Sequence, residues 1–238
     1  PLVEYVIIDG CSTDGTVEII EEYGDKISVF LSEPDDGIYD ALNKGIVRAN
    51  GDIIGILHSD DLFCDKHVIS DVINKMVDTE TELCFSDLVL ADEDSGKLVR
   101  YYRAHYFRRW MLRIGWLPPH PTVFLKRSIF DEFGLYSKNY QIAGDFEFFV
   151  RIFYGREIKW VYLNRISVMM RRGGASNSGI SSIILAISEI NRSLKTNHVW
   201  SNPIFQFARY FIRLLELIIL PSKKACDPKN LLKKCRNA

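Results

Sequence analysis

Residues 51–61 read Gly51-Asp52-Ile53-Ile54-Gly55-Ile56-Leu57-His58-Ser59-Asp60-Asp61, an apolar run that ends in a pair of carboxylates. A strand with no polar side chain must be covered on both faces, so this run is expected at the centre of a sheet layered by helices. In open α/β sheets ligands collect beyond the carboxyl ends of the strands, and Asp60-Asp61 stands at that edge. Taken alone, an Asp pair between strand and helix is usually a turn or a cap. Its position raises the functional reading.

The pattern around this run repeats it. Residues 3–8 (V-E-Y-V-I-I) read as a buried strand, followed by T-V-E-I-I-E-E-Y with Val17, Ile20 and Tyr23 at helical spacing. Residues 27–31 form the next strand, and Ile38, Leu42, Ile46 and Ala49 then share one helix face, with Asp36 expected as its N-cap. After Asp61 come a helix carrying Val68, Ile69, Val72, Ile73 and Met76, then strands at 83–90 and 98–102. Alternating βα units of this kind imply an α/β fold with a mainly parallel sheet. Residues 104–120, which include Pro118-Pro119, predict an irregular lobe. Beyond it the pattern predicts a strand at 122–125, helices at 128–133 and 145–154, and strands at 158–163 and 167–170.

Three strand ends in the first half are acidic: Asp9, then Glu33 with Asp35-Asp36, then Asp60-Asp61. Carboxylates crowded together repel one another, a cost that a bound divalent cation or ribose hydroxyls would offset. With 238 residues, 47% hydrophobic and 26% charged, the chain has the balance of a globular protein of one large domain, or one domain plus an appendage. Its formal net charge of -1 offers no general attraction for nucleic acid. The five cysteines are scattered without a C-x-x-C pair or a zinc-ligand rhythm, as expected of reduced cytosolic thiols.

Two regions stand apart. In residues 203–220 the polar positions Gln206, Arg209, Arg213 and Glu216 form one narrow stripe on a very apolar helix, followed by a tail with Lys223, Lys224, Lys229, Lys233, Lys234 and Arg236. The helix suits burial at a membrane interface or packing on the main domain, and the tail suits an anionic surface. Residues 100–116 interleave Arg103, Arg108, Arg109 and Arg113 with Tyr101, Tyr102, Tyr106, Phe107 and Trp110. Such a mixture can stack on RNA, but no nucleic-acid module surrounds it.

Several ordered motifs carry a resemblance. I-I-D-G-C-S-T-D-G-T (7–16), S-E-P-D-D-G-I-Y-D-A-L-N-K-G (32–45), the run at 51–61, P-H-P-T-V-F-L-K-R-S-I-F-D-E-F-G (119–134) and I-A-G-D-F-E-F-F-V-R (142–151) follow one another at family-like spacing. Together they resemble the family 2 glycosyltransferases of the GT-A fold, particularly those that build bacterial-type surface polysaccharides. The resemblance covers roughly residues 1–175, with a donor half to about 100 and an acceptor half from 101, and leaves 176–238 as a helical C-terminal region.

It implies a transfer of sugar from a UDP- or GDP-sugar to a saccharide or lipid-linked acceptor, with inversion and with Mg2+ or Mn2+. Asp61 is then the metal ligand, with Asp60 shared between metal and donor. Asp9 and Asp36 lie at the donor edge, although many relatives carry a second acidic residue where this chain has Gly10. Asp145 takes the place of the catalytic base, the competing reading being a helix cap with a solvated Glu147 beside it. His120 is expected to line the acceptor pocket, and Arg171-Arg172 ahead of two glycines to fold over the donor diphosphate. The basic, aromatic surface at 100–116 would meet a lipid-linked acceptor, giving a cytoplasmic protein peripheral to the membrane. Relatives open with a strand, a turn and a helix ahead of the stretch that begins here at Pro1, so the chain is expected to be a fragment or a truncation. The alternatives are a sugar nucleotidyltransferase, disfavoured because no glycine-rich basic phosphate loop is visible, and a non-catalytic scaffold paralogue.

Overall fold

Each apolar run and helical period of the first hundred residues becomes an element. The structure is a computed structural model that describes residues 3–92, 98–171 and 180–202. Strand β1 (Val6–Asp9), helix α1 (Thr16–Glu22), strand β2 (Val29–Ser32) and helix α2 (Ile38–Arg48) come first. They are followed by β3 (Ile53–Gly55), β4 (Asp61–Phe63), α3 (Val68–Asp78), β5 (Leu83–Ala91) and β6 (Leu98–Tyr102). The second half supplies β7 (Phe124–Lys126), α4 (Arg127–Phe133), α5 (Gly144–Gly155), β8 (Trp160–Arg171) and α6 (Ile180–Thr196).

The fold is α/β, as the alternation implies, but the sheet is mixed rather than mainly parallel. β1 and β2 form a parallel pair, with Val6 opposite Val29 and Asp9 opposite Ser32. A larger sheet runs β3-β7-β5-β8-β4 with β6 added to β5. Within it, among the described residues, only β5 and β8 are parallel; β3·β7, β4·β8, β5·β6 and β5·β7 are antiparallel. Parallel neighbours need a crossover. Beyond β5 the βα alternation lapses: β6 and β7 pair with β5 in the opposite sense, and β8 returns parallel to it.

Two local expectations change. The run at 53–57 yields only the short β3, which lies at one end of the larger ladder instead of at its centre. β1 is not hydrogen-bonded to it among the described residues. Instead the Glu4 carboxylate accepts the Asn50 and Gly51 N–H groups at 2.6 and 3.2 Å and ties the start of β1 to the turn before β3. The two strands predicted at 158–163 and 167–170 are one, β8, which changes register against β5 around Asp87.

The core is aromatic. Phe85 on β5 meets Phe107 edge-on at 5.6 Å and Trp160 of β8 at 5.2 Å. α5 contributes Phe146, Phe148, Phe149 and Phe153, all buried. Full burial of each such ring stabilises by roughly 1.5–3 kcal/mol. α5 is apolar almost all round, so it runs through the core instead of over it. α6 packs on α5. Among the described residues no helix is long and apolar enough to cross a membrane. Residues 203–238, with the striped helix and the basic tail, lie outside the described residues, as does Arg172.

Candidate active site

At the carboxyl end of β1, Asp9 is buried and fully engaged. Its carboxylate accepts the Ser12 N–H at 2.9 Å, the Ser12 hydroxyl at 2.5 Å and the Ser32 hydroxyl of β2 at 2.6 Å. Burial alone would raise its pKa, but these bonds outweigh it and hold the carboxyl below its ordinary range. The neighbouring Gly10 leaves space that another acid fills: a Cβ added there would sit 2.6 Å from Asp35 Oδ2. Asp35 also accepts the Gly37 N–H at 2.9 Å.

Asp36 is not the N-cap of α2. Gly37 occupies that position with no side-chain cap, and the Asp36 N–H instead donates to Asp40 Oδ2 at 3.2 Å. The Asp36 carboxylate points outward and pairs with Lys138 at 3.4 Å. Lys138 also reaches Asp40 at 3.0 Å. The Asp36 N–H and Lys138 hold Asp40 down to about 2. The carboxylate that turns back over β1 is therefore Asp35, which patterning alone had no means of separating from its neighbour.

Asp60 and Asp61 behave differently from each other. Asp61 opens β4, opposite Met170 of β8, and is only 3% exposed. Its N–H donates to the His58 carbonyl at 3.0 Å, while both carboxylate oxygens are buried without a hydrogen-bond partner. Burial, and then the charge of Asp60, push its pKa up to about 7. Such an orphan beside a second carboxylate is the environment a hard divalent cation satisfies. Among the described residues no group of three His, Cys, Asp or Glu side chains is arranged to hold an ion unaided. Arg171 ends β8, one residue beyond the partner of Asp61, and is exposed.

Asp145 lies in the first turn of α5, not at its cap, which is Ala143. It is half-buried, and burial pushes its pKa up to about 6. Glu147 is buried, not solvated, and forms a two-pronged pair with Arg151 at 3.0 Å through both nitrogens. Tyr39 of α2 reaches across: its hydroxyl donates to the Ile142 carbonyl at 2.7 Å and accepts the Gly144 N–H at 2.8 Å. Its ring presses so close that a Cβ on Gly144 would meet it at 2.7 Å, which requires glycine there.

His120 joins this cluster. Its Nε2 is 2.9 Å from the Tyr136 hydroxyl, and its ring lies 6.0 Å from that of His58. Burial, then the neighbouring His58, push it down to about 3, so it is a neutral imidazole. Tyr136 in turn packs 6.0 Å from Tyr39. A chain of side chains, His58–His120–Tyr136–Tyr39, thus runs from the segment bearing Asp60-Asp61 to the turn bearing Asp145. Tyr39, Tyr136 and His58 were not singled out in the sequence; the signal available was their place inside the quoted motifs or beside them.

The sequence profile of glycosyl transferase family 2 matches residues 1–143. An uncharacterized glycosyltransferase of Mycobacterium tuberculosis is 30% identical over 154 residues, 63% of this chain and 56% of its own length. The chain therefore spans little more than half of that relative. Among solved structures, S. aureus TarS 1–349 in complex with UDP-GlcNAc superposes with a TM-score of 0.60 at 14% identity, over 93% of this chain and 65% of that one. The mannosyltransferase PcManGT from Pyrobaculum calidifontis, in complex with GDP-Man and Mn2+, gives 0.58 at 15% identity, over 99% and 66%. Likeness at this level of identity establishes the GT-A fold.

Proposed function

Because the chain belongs to glycosyl transferase family 2 and has the GT-A fold, we propose that it is an inverting glycosyltransferase using a UDP- or GDP-sugar in surface polysaccharide synthesis. The observation that carries the reading is Asp145: a half-buried carboxyl with a pKa near 6, fixed at the start of α5 and linked through Tyr39, Tyr136 and His120 toward Asp60-Asp61. In its ionised form Asp145 takes the proton of the acceptor hydroxyl. The freed oxygen forms a bond to the anomeric carbon as the bond to the diphosphate breaks on the opposite face. The electron pair leaves with the nucleoside diphosphate.

Asp61, with Asp60, would hold Mg2+ or Mn2+, whose contribution when bound is to neutralise charge on the departing diphosphate. The two orphaned oxygens of Asp61 support that assignment. Asp9 and Asp35 form the donor's nucleoside edge. Asp36, engaged with Lys138 at the surface, is the weaker candidate there. Arg171, at the end of the strand that pairs with Asp61, is assigned to the diphosphate, and the His120–Tyr136 pair to the acceptor side.

The acceptor is lipid-linked in this reading, and the protein is peripheral to an anionic membrane. Support comes from the 3-10 turn Arg109–Ile114, which buries Met111, Leu112 and Ile114 and turns Arg109, Trp110 and Arg113 outward beside exposed Arg108. Trp110 is 55% and Trp200 66% exposed, and the Ser201 hydroxyl donates to the Arg113 carbonyl at 2.6 Å, bringing the two tryptophan segments together. Arginine with interfacial tryptophan suits a lipid headgroup layer. Incubation with UDP-N-acetylglucosamine and GDP-mannose plus Mn2+ tests the activity. Donor turnover that disappears in Asp61→Ala and Asp145→Asn is expected; calorimetry showing no donor binding at all would favour a non-catalytic scaffold.

A further inference from the structure

Resting on the assignment of Asp145 as the base, we infer that Glu189 of α6 is the positioning residue that sets the base's place. Glu189 is 4% exposed. Its carboxylate accepts three successive backbone N–H groups, those of Gln141 (2.8 Å), Ile142 (2.9 Å) and Ala143 (2.8 Å). These are the residues immediately before α5. The helix has no side-chain cap of its own at Ala143, so a glutamate from another helix performs the capping from outside. Successive N–H groups converging on one anion form a nest, and charge-assisted bonds of this kind are stronger than neutral ones.

The grip is two-sided. Glu189 holds the amide side of residues 141–143, while Tyr39 holds the Ile142 carbonyl and the Gly144 N–H from α2. Upstream, Arg192 of α6 donates to the Asn139 carbonyl at 2.7 Å, and Asn43 of α2 makes paired bonds with the Tyr136 backbone at 2.8 and 2.9 Å. The turn that presents Asp145 is thus fixed between α2 and α6. Burying a carboxylate is costly, and an amide in its place would offer one acceptor oxygen where three N–H groups converge on two. The carboxylate also brings negative charge near Asp145, which adds to the larger effect of burial in favouring the protonated base.

The charged and titratable groups around the pair are Tyr39 on α2, Tyr136 on the preceding segment, Glu147 with its partner Arg151 on α5, and Arg192 on α6. Arg192 is 3.8 Å from Glu189 and half-exposed, so it offsets the charge only in part. Glu189 lies outside the matched stretch, which ends at residue 143.

The test compares the full chain with Glu189→Gln and Asp145→Asn. Two readouts are taken: the carboxyl 13C NMR titration of Asp145, assigned by its loss in Asp145→Asn, and the kcat–pH profile with whichever of UDP-N-acetylglucosamine or GDP-mannose is turned over. In Glu189→Gln the Asp145 midpoint is expected to move to lower pH and kcat to fall roughly tenfold to a hundredfold as the base shifts, with donor KM nearly unchanged. Should Glu189→Gln fail to fold, Glu189→Asp is read on kcat, its shorter arm lowering kcat while the retained charge keeps the midpoint; a wild-type kcat there overturns the inference. A folded variant with wild-type midpoint and wild-type kcat overturns the inference and leaves Glu189 as a structural tie. A kcat in Asp145→Asn close to that of wild type overturns the base assignment itself, whatever Glu189→Gln does.

Discussion

Asp61 holds its proton more tightly folded than unfolded, because burial raises it from 3.8 to about 7. The group therefore disfavours folding increasingly as pH rises from its unfolded value toward 7, and without a cation the cost is complete above that. At pH 8, free of divalent ions, Asp61→Asn is expected to be more stable than wild type by roughly 1–3 kcal/mol, or about 5 °C in Tm for a chain of this size. Mn2+ should raise the Tm of wild type and leave that of the variant in place; scanning calorimetry showing no gain in the metal-free variant would contradict the orphaned carboxylate. Asp145 gives a second test. Its base form predominates above about 6, so kcat should climb with pH through that value and level off, and Asp145→Asn should lose about 10²–10⁴-fold of kcat. A flat profile between pH 5 and 8 would argue for another base. At this scale Asp9, Asp60, Asp61 and Asp145 were legible because they follow apolar runs or open a helix. Asp35 and Glu189 were not, since one depends on the space above Gly10 and the other on backbone N–H groups at least 46 residues away in sequence.

Among the elements, α2 does more than cover a sheet. Its Tyr39, Asn43 and Asp40 each engage the segment 136–144, through hydrogen bonds to the backbone or the pair with Lys138. Asn43→Ala would leave both the N–H and the carbonyl of Tyr136 without that partner, a loss expected to be about 1–3 kcal/mol. Urea unfolding checks it, and a change below about 0.5 kcal/mol would mean that the paired bonds are not maintained in solution. The helices themselves were legible because α2 and α3 keep apolar residues at i, i+3 and i+4. Strand pairing was not. The 53–57 run looks central by composition, yet its neighbour is set by which distant segment reaches it, here β7 in antiparallel register, and no local pattern encodes that choice. The cap of α2 failed for a similar reason: Asp35, Asp36 and Asp40 are all plausible acceptors by spacing, and the pairing with Lys138 from residue 138 decides among them.

At the level of the whole molecule, the exposed arginines and tryptophans make a prediction independent of catalysis. Each arginine near an anionic surface contributes about 1 kcal/mol, so changing Arg108, Arg109 and Arg113 together to Gln should weaken binding to phosphatidylglycerol-containing vesicles about a hundredfold. Neutral phosphatidylcholine vesicles should bind both proteins weakly. Equal sedimentation of variant and wild type with anionic vesicles would remove this surface from the membrane contact. The mixture of aromatic and basic residues was visible in the sequence, but its division into buried Met111, Leu112 and Ile114 and exposed Trp110 and arginines follows from the 3-10 turn.

The separation of β1 and β2 from the larger ladder bears on how the protein opens. Strands β5 and β8 share a long ladder and sit in the core, whereas β1 and β2 depend on each other, on α2 and on the Glu4 tie. Native-state amide exchange should therefore divide the chain: the amides of β1 and β2 opening at low cost as one cooperative unit, and those of β5 and β8 exchanging only with global unfolding. A nucleotide seated against Asp9 would then register first as slowed exchange in the least protected part of the sheet.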